Sequence, residues 1–226
     1  MTFNDILATT SGPVSYELTT HGHMKMIGHS FPYSIKNDEF VYLQQLIVEH
    51  KLMRGFECAT AFGISSCAIA SGFQRTGGKL VTLDAYIEEE TKDPNVYRNV
   101  SSHTYNESAG YKSVMFLREH FNLTNNLYPE IGWSPNDVDT IIKKHFHGDL
   151  LDFVFLDAGH FSEQMIKDID AFVPFLDSKF VLAFHDDYPW SFSPEVHQHL
   201  MKKIGKDCQI VVPHPRGENL SVVVNV

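Results

Sequence analysis

The feature that most constrains the fold of this chain is an alternation of short apolar segments with amphipathic ones. Near-continuous apolar runs at residues 152–156 and 180–184 are typical of strands that are covered on both faces of a sheet. Segments with apolar residues at helical spacing, such as residues 38–50, precede or separate these runs. Alternating strands and helices predict a parallel, doubly wound sheet with right-handed crossovers.

Seven strands are predicted, at residues 55–57, 80–83, 126–131, 152–156, 180–184, 209–212 and 220–226. The last two have a short connection without a helix, which predicts an antiparallel hairpin at the sheet edge. Pro129 cannot donate to a strand ladder, so the third strand is also expected at an edge. The prediction is an α/β fold with one mostly parallel seven-stranded sheet. Residues 1–36 are weakly patterned and are expected to form a cap or lid on a single domain of residues 37–226.

Two predicted helix starts lie close to the expected ligand edge of the sheet. Ser65 or Ser66 is expected to cap the helix after the first strand, which Gly72 would help to end. The sequence Ser134-Pro135-Asn136-Asp137 predicts another start, with Ser134 as the N-cap. Asp168 and Asp170, on a later helix, are expected to face solvent or to make capping contacts rather than to take part in catalysis.

Composition and charge exclude several classes of function. The chain has 226 residues, of which 43% are hydrophobic and 20% charged, as in an ordinary soluble globular domain. Its formal net charge is −10, which argues against a nucleic-acid partner, because phosphate backbones require clustered Lys and Arg. We expect no membrane partner, since no apolar run approaches about 18 residues. Three cysteines and the absence of a signal-peptide pattern predict a reduced, cytoplasmic protein.

Acidic and histidine side chains follow several of the predicted strands, at the edge where ligands of such sheets bind. These residues are Glu57, Asp84, Asp157, His160, His185, Asp186 and Asp187. Asp and His also cap helices and form turns, which is the alternative explanation for them. However, like charges that converge on one edge are costly without a cation, so the cluster after the fourth and fifth strands predicts a metal site.

The turn after the first strand indicates the kind of cofactor. A dinucleotide site requires Gly-x-Gly-x-x-Gly, whereas Ala59 and Ala61 occupy the first two positions here and only Gly63 remains. A ligand with an amino-acid end and no pyrophosphate is compatible with this turn, because the helix N-terminus and Ser65 can take its carboxylate. Asp84 ends the second strand, where an acid accepts hydrogen bonds from ribose hydroxyls.

Taken together, the Glu57–Ser65 turn, Asp84, residues 152–160 and residues 184–186 resemble a known family. They are similar to the class I S-adenosylmethionine-dependent methyltransferases, and most similar to the metal-dependent small-molecule O-methyltransferases of the catechol and macrolide-sugar kind. The resemblance extends over residues 38–226. It implies a Rossmann-like catalytic domain with S-adenosylmethionine as the methyl donor. The implied partner is a small hydroxylated substrate.

The resemblance also implies a role for each site residue. Around the cofactor it implies Glu57, Ala59, Ala61, Gly63, Ser65, Asp84, Gly132, Trp133, Ser134 and Asp157. Asp84 would hold the ribose, and the segment 132–134 would line the adenine. A divalent metal, Mg²⁺ by expectation, would be bound by Asp157, His185 and Asp186, and His160 would be the general base. Asp187 is an alternative to His185, since imidazole suits Mg²⁺ less well than oxygen does.

Three other functions are compatible with parts of this pattern. A metal-dependent hydrolase would use the Asp/His cluster but would leave the first turn and Asp84 without a role. A non-catalytic S-adenosylmethionine-binding protein would explain the alanines of the first turn. A dehydrogenase is disfavoured, because the glycines that approach a pyrophosphate are missing. The final hairpin and the N-terminal segment both offer surfaces on which a homodimer can form.

Overall fold

The computed structural model confirms the predicted α/β fold; it describes residues 1–2, 4–5, 35–85, 109–158, 161–185, 193–205, 209–211 and 220–225. Its helices are α1 (Asn37–Glu49), α2 (Ile64–Thr76), α3 (Ala109–His120), α4 (Val138–Phe146), α5 (Ser162–Phe172) and α6 (Pro194–Ile204). Its strands are β1 (Arg54–Cys58), β2 (Lys79–Asp84), β3 (Leu127–Ile131), β4 (Leu151–Leu156), β5 (Leu176–His185), β6 (Gln209–Val211) and β7 (Leu220–Asn225). A short 3₁₀ turn, Val173–Phe175, joins α5 to β5.

The strands form one seven-stranded sheet in the order β3-β2-β1-β4-β5-β7-β6. The five strands from β3 to β5 are parallel, and β7 runs antiparallel to both β5 and β6. As predicted, β3 lies at one edge, where Pro129 can be accommodated, and the antiparallel pair lies at the other. From β1 the chain first builds outward to β3 and then crosses to β4. The order therefore reverses between β1 and β4, where open α/β sheets bind ligands.

Two hydrophobic layers cover the two faces of the sheet. Helices α1, α2 and α3 pack on one face, where the rings of Phe73 and Phe153 meet edge to face with their centroids 5.9 Å apart. Helices α4, α5 and α6 pack on the other face, where the ring centroids of Phe56 and Phe172 are 5.0 Å apart. All six residues of β4 are buried, as expected of a strand between two helical layers. None of the helices in the described part of the chain is long and apolar enough to cross a membrane.

Helix α2 begins earlier than the sequence pattern predicts, so Ser65 and Ser66 do not cap it. Its N-cap is Gly63, whose φ of +88° lies in the left-handed region that favours glycine. A Cβ atom at Gly63 would also lie 2.8 Å from Cγ2 of Val114 on α3. The two serines therefore lie inside the first turn of the helix, where both are buried and face the end of β1.

Gly72 does not end α2 but lies inside it. A Cβ atom there would lie 3.0 Å from the side chain of Ile47 on α1, so the glycine permits close packing of the two helices. The helix continues to Thr76 and ends at Gly77, which has a φ of +85°. Gly72 is therefore explained by the close approach of α1, and not by the termination of helix α2.

Candidate active site

The candidate site lies at the carboxyl ends of β1, β2, β4 and β5, on both sides of the point where the strand order reverses. Asp84 and His185 end their strands, Glu57 is the last residue but one of β1, and Asp157 follows β4 directly. The structure thus brings four of the predicted residues to one edge. Three others lie outside the described residues: His160, the predicted general base, Asp186, a predicted metal ligand, and Asp187, the alternative ligand to His185.

The end of β2 is hydrogen-bonded to the turn after β1. The Oδ2 atom of Asp84 accepts a hydrogen bond of 2.8 Å from the backbone N–H of Ala61. Within the turn, the N–H of Gly63 donates to the carbonyl of Thr60 at 2.8 Å. The Thr60 and Thr82 hydroxyl oxygens are 2.6 Å apart in a buried contact. Asp84 therefore lies beside the first turn.

Glu57 is a fully buried carboxyl group at the end of β1. Its Oε2 atom accepts a hydrogen bond from the Ser66 hydroxyl, and its Oε1 atom has no partner among the described residues. Burial raises the pKa of Glu57 to about 7, against the opposing effect of hydrogen bonds from Ser65, Ser66 and Thr82. The group therefore changes charge near neutral pH, and it presents an unused acceptor at the edge where the cofactor is predicted to bind.

The segment 132–134, which the resemblance assigns to the adenine, lies against the end of β2. The N–H of Gly132 donates to the carbonyl of Asp84 at 3.0 Å. The N–H of Trp133 donates to Oδ2 of Asp137 at 2.8 Å, and 38% of Trp133 is exposed. The turn is therefore held from both sides, and its aromatic ring remains available for contact with a ligand.

Ser134 is not the N-cap of α4, contrary to the sequence prediction. The cap position is taken by Asp137, and α4 begins at Val138. The Ser134 hydroxyl instead donates to Oδ1 of Asp168 on α5, at 2.5 Å. The Nε2 atom of Gln164, one turn earlier on α5, donates to the same oxygen at 3.1 Å. The predicted adenine segment is therefore attached to helix α5 as well as to β2.

Asp168 was predicted to face solvent or to make capping contacts; it does not face solvent, because the residue is fully buried. Its Oδ2 atom has no partner among the described residues, and burial raises its pKa. The signal that could have identified it is its position three residues after Met165 and four before Phe172, on the apolar face of α5. Asp170 does lie at the surface, where it pairs with His199 and Lys203 at 2.8 and 2.9 Å.

Two carboxylates lie beside His185, and the sequence did not identify one of them, Glu39. The Nδ1 atom of His185 is 3.2 Å from Oδ1 of Asp157, and its Nε2 atom is 3.4 Å from Oε2 of Glu39 on α1. Burial lowers the pKa of His185, but the charges and hydrogen bonds of Asp157 and Glu39 raise it by more, to about 10. Glu39 lies four residues before Leu43, on the buried face of α1, which is the signal that could have revealed it.

Two of the three predicted metal ligands are close enough to share one ion. Within the described ranges, no group of three or more His, Cys, Asp or Glu side chains is arranged as a metal site. Asp157 and His185 form a pair, however, with 3.2 Å between Oδ1 and Nδ1. Two ligands bound at a right angle about 2.1 Å from one ion lie about 3 Å apart. An oxygen and a ring nitrogen are also donors that divalent first-row metals accept, so this pair fits a metal ion.

Comparison with known proteins identifies the family of this chain. A family model described as a methyltransferase domain matches residues 56–187, which are more than half of the chain. The match extends from the core of β1 through the residues that follow β5, and therefore includes every residue of the candidate site except Glu39. No curated protein matches the sequence.

Several solved structures have the same fold, and each aligns with nearly the whole of this chain. One is an O-methyltransferase from Bacillus cereus in complex with SAH, with a TM-score of 0.59 and 16% identity over 93% of this chain and 90% of that one. Another is TomG from Streptomyces achromogenes in complex with SAM, with a TM-score of 0.63 and 14% identity over 98% and 96%. A methyltransferase from Geobacter sulfurreducens has a TM-score of 0.62 and 13% identity over 99% and 96%.

Because the sequence identities are low, the structural similarity establishes only the fold. The match to the family model establishes that the chain is a member of that family. The chain belongs to the methyltransferase-domain family, and its fold is that of the S-adenosylmethionine-dependent O-methyltransferases.

Proposed function

We propose that this protein transfers the methyl group of S-adenosylmethionine to a hydroxyl group of a small molecule, with the help of a divalent metal ion. The observation that carries the proposal is the convergence of Glu57, Asp84 and the Asp157–His185 pair on one edge of the sheet. Glu57 and Asp84 suit a methyl donor that has an amino-acid end and a ribose. The Asp157–His185 pair suits a cation that holds an ionisable acceptor.

The cofactor would lie across the ends of β1, β2 and β3. Its methionine carboxylate is suited to the N-terminus of α2, where backbone N–H groups and the helix dipole favour an anion. The unpartnered Oε1 atom of Glu57 is a suitable acceptor for the methionine ammonium group. Asp84 would accept hydrogen bonds from the ribose hydroxyls, and the exposed ring of Trp133 is suited to stack on the adenine.

Methyl transfer from a sulfonium requires little activation of the donor, so the chain's own residues mainly position the acceptor and remove its proton. Holding the acceptor oxygen in line with the methyl group replaces a bimolecular encounter with a bound one. His160, three residues after Asp157, is the proposed general base, because an imidazole can accept a proton near neutral pH.

Asp157, His185 and Asp186 are the residues that would hold the metal ion. A bound divalent ion supplies one kind of chemistry here, which is to lower the pKa of an acceptor hydroxyl and orient it. The imidazole in this set favours a first-row transition metal such as Mn²⁺ over Mg²⁺, which prefers oxygen ligands. Asp187 stays an alternative ligand.

The substrate class is proposed as a small hydroxylated natural product. The phenyl ring of Phe161, at the start of α5 and close in the chain to Asp157, is 75% exposed and offers an apolar contact for such a molecule. TomG, one of the structural neighbours, is involved in tomaymycin synthesis, which is consistent with an acceptor of this kind. The absence of a nucleic-acid or membrane partner, the homodimer and the cytoplasmic location stay predictions from the sequence.

Calorimetric titration with S-adenosylhomocysteine tests the cofactor part of the proposal. We expect micromolar binding by the wild type, a loss of at least tenfold in Asp84→Ala, and no change in Asp149→Ala, a matched substitution of an exposed acid. No binding by the wild type would exclude the proposal and leave the hydrolase interpretation of the Asp/His cluster.

Methyl transfer to a panel of catechols, sugars and phenols, with and without added Mn²⁺ or Mg²⁺, tests the catalytic part. Transfer that depends on the added ion is expected. Cofactor binding without transfer to any acceptor would favour the non-catalytic binding protein.

A further inference from the structure

We infer that Glu39 is a positioning residue of the proposed metal site, which holds the imidazole of His185 so that its Nδ1 atom faces Asp157. This inference rests on the proposed function, because it assigns a partner to one of the proposed metal ligands. Glu39 lies 146 positions before His185 in the chain, on a helix outside the region that the family model matches.

The geometry joins three elements through one ring. Oε2 of Glu39 on α1 is 3.4 Å from Nε2 of His185 at the end of β5. On the other side of the ring, Nδ1 is 3.2 Å from Oδ1 of Asp157, which follows β4. The ring is also packed beside Phe155, with the two ring centroids 6.2 Å apart. The imidazole is therefore held on both nitrogens and by an aromatic neighbour.

Burial indicates that Glu39 has a role beyond the start of α1. One part of its contacts is local, since Oε2 also accepts a hydrogen bond of 2.7 Å from the backbone N–H of Lys36. A residue that only forms this capping contact can remain at the surface, yet Glu39 is 3% exposed. Its Oε1 atom has no partner among the described residues. Burying a carboxylate costs free energy, and the contact of Glu39 with His185 compensates for that cost.

The consequence for metal binding follows from the two distinct nitrogens of histidine. A metal-binding histidine commonly donates its second ring N–H to a carboxylate, which fixes the tautomer and the ring orientation and makes the ligand more basic. Here Nε2 faces Glu39 and Nδ1 faces Asp157, so Nε2–H would donate to Glu39 while Nδ1 would release its proton and bind the ion. Without Glu39, the ring can rotate and the ligand atom is no longer held beside the carboxylate.

The test is calorimetric titration of Mn²⁺ alone into the wild type, Glu39→Ala, Glu39→Gln and Glu49→Ala. Removing such a partner typically lowers metal affinity about 10- to 100-fold, which is the loss expected for Glu39→Ala. Glu39→Gln should recover most of the affinity, because its amide oxygen can still accept from Nε2–H. Glu49→Ala is the matched control, since Glu49 is an exposed glutamate at the far end of the same helix.

A double-mutant cycle separates positioning from a general effect on folding. If Glu39 acts through His185, the losses of Mn²⁺ affinity in Glu39→Ala and His185→Ala are not additive, and the double variant binds about as weakly as His185→Ala alone. Additive losses would instead indicate an independent structural effect and would overturn the inference.

The remaining outcomes also decide the question. Wild-type Mn²⁺ affinity in Glu39→Ala would overturn the role of Glu39 while leaving the metal site in place. A wild type that binds S-adenosylhomocysteine but not Mn²⁺ would overturn both the metal site and the inference. Because cofactor binding is titrated separately on the same proteins, failure of the proposed methyltransferase function is distinguishable from either result.

Discussion

The carboxylate of Asp84, at the end of β2, accepts a hydrogen bond from the backbone N–H of Ala61, in the turn that follows β1. The two residues belong to neighbouring strand–helix units, and the bond of 2.8 Å joins them at the edge where the cofactor is proposed to bind. Ala61 has a φ of +44°, in the region that favours glycine, so the turn needs support from outside its own backbone. Asp84 therefore shapes the site as well as being a candidate ligand for ribose.

Asp84→Ala and Asp84→Asn should differ in stability as well as in cofactor binding. Alanine leaves the Ala61 N–H without its acceptor, at a cost of about 1 kcal/mol in the free energy of unfolding. Asparagine keeps an oxygen acceptor and should lie within about 0.5 kcal/mol of the wild type. Urea denaturation measures both values, and equal stability of the two variants would contradict a supporting role for the hydrogen bond.

Gly63→Ala should destabilise the protein by about 2–4 kcal/mol, since it combines backbone strain with overpacking. The new Cβ atom would lie 2.8 Å from Val114 at a φ of +88°. Gly77→Ala is the matched control, because Gly77 has a φ of +85° but only one atom, Cε of Met53, at 4.0 Å. Thermal or urea unfolding should show a larger loss of stability for Gly63→Ala than for Gly77→Ala, and equal losses would contradict overpacking against Val114.

Glu57→Gln should remove a pH dependence of stability. Because the folded-state pKa of about 7 is above the ordinary value of 4.5, the folded protein binds this proton more tightly than the unfolded chain does. The stabilisation is fully present below pH 4.5 and is lost as the pH rises to about 7, a change of about 3 kcal/mol.

Urea denaturation between pH 4.5 and 8 measures that change as the difference between the wild type and Glu57→Gln. At pH 8 the glutamine variant is expected to be the more stable, because a neutral amide replaces a buried carboxylate. The exposed Glu49→Gln serves as the control and should follow the wild-type profile. A pH-independent difference between Glu57→Gln and wild type would contradict the raised pKa.

Asp168→Ala should lower the free energy of unfolding by about 1–3 kcal/mol, because Ser134 and Gln164 lose a buried acceptor. The same change should weaken S-adenosylhomocysteine binding, since the segment 132–134 is no longer attached to α5. Asp168→Asn keeps the oxygen that both donors use and should retain most of the affinity. Asp170→Ala, two residues away at the surface, should leave cofactor affinity unchanged.

His160→Ala should lower kcat by about 10²- to 10⁴-fold, the usual contribution of a general base. The dissociation constant for S-adenosylhomocysteine should remain within about twofold of the wild type, because a base that contacts the acceptor does not hold the cofactor. Steady-state kinetics with an identified acceptor and calorimetry give the two quantities. Wild-type turnover in this variant would remove His160 from the mechanism.

Much of the architecture follows from local patterns that act within a few residues. The apolar runs around Phe153 and Val181 become strands covered on both faces, and Pro129 is found at a sheet edge. Ser193 caps α6 by accepting a hydrogen bond from the N–H of Val196, with Pro194 in the first turn, which is a contact between residues close in the chain. The acids Glu57 and Asp84 were recognisable because they end strands, and parallel strands bring their carboxyl ends to one edge.

The sequence by itself therefore determined the order of strands and helices, the edge at which ligands bind and the family to which the chain belongs. Only the tertiary structure decided the burial of Glu39 and Asp168, the partner of Ser134 and the close packing at Gly72. Strand and helix propensities depend on neighbouring residues, whereas these contacts depend on which distant helix packs against which strand. The role of a carboxylate on the apolar face of a helix can be assigned only when the groups that it contacts are known.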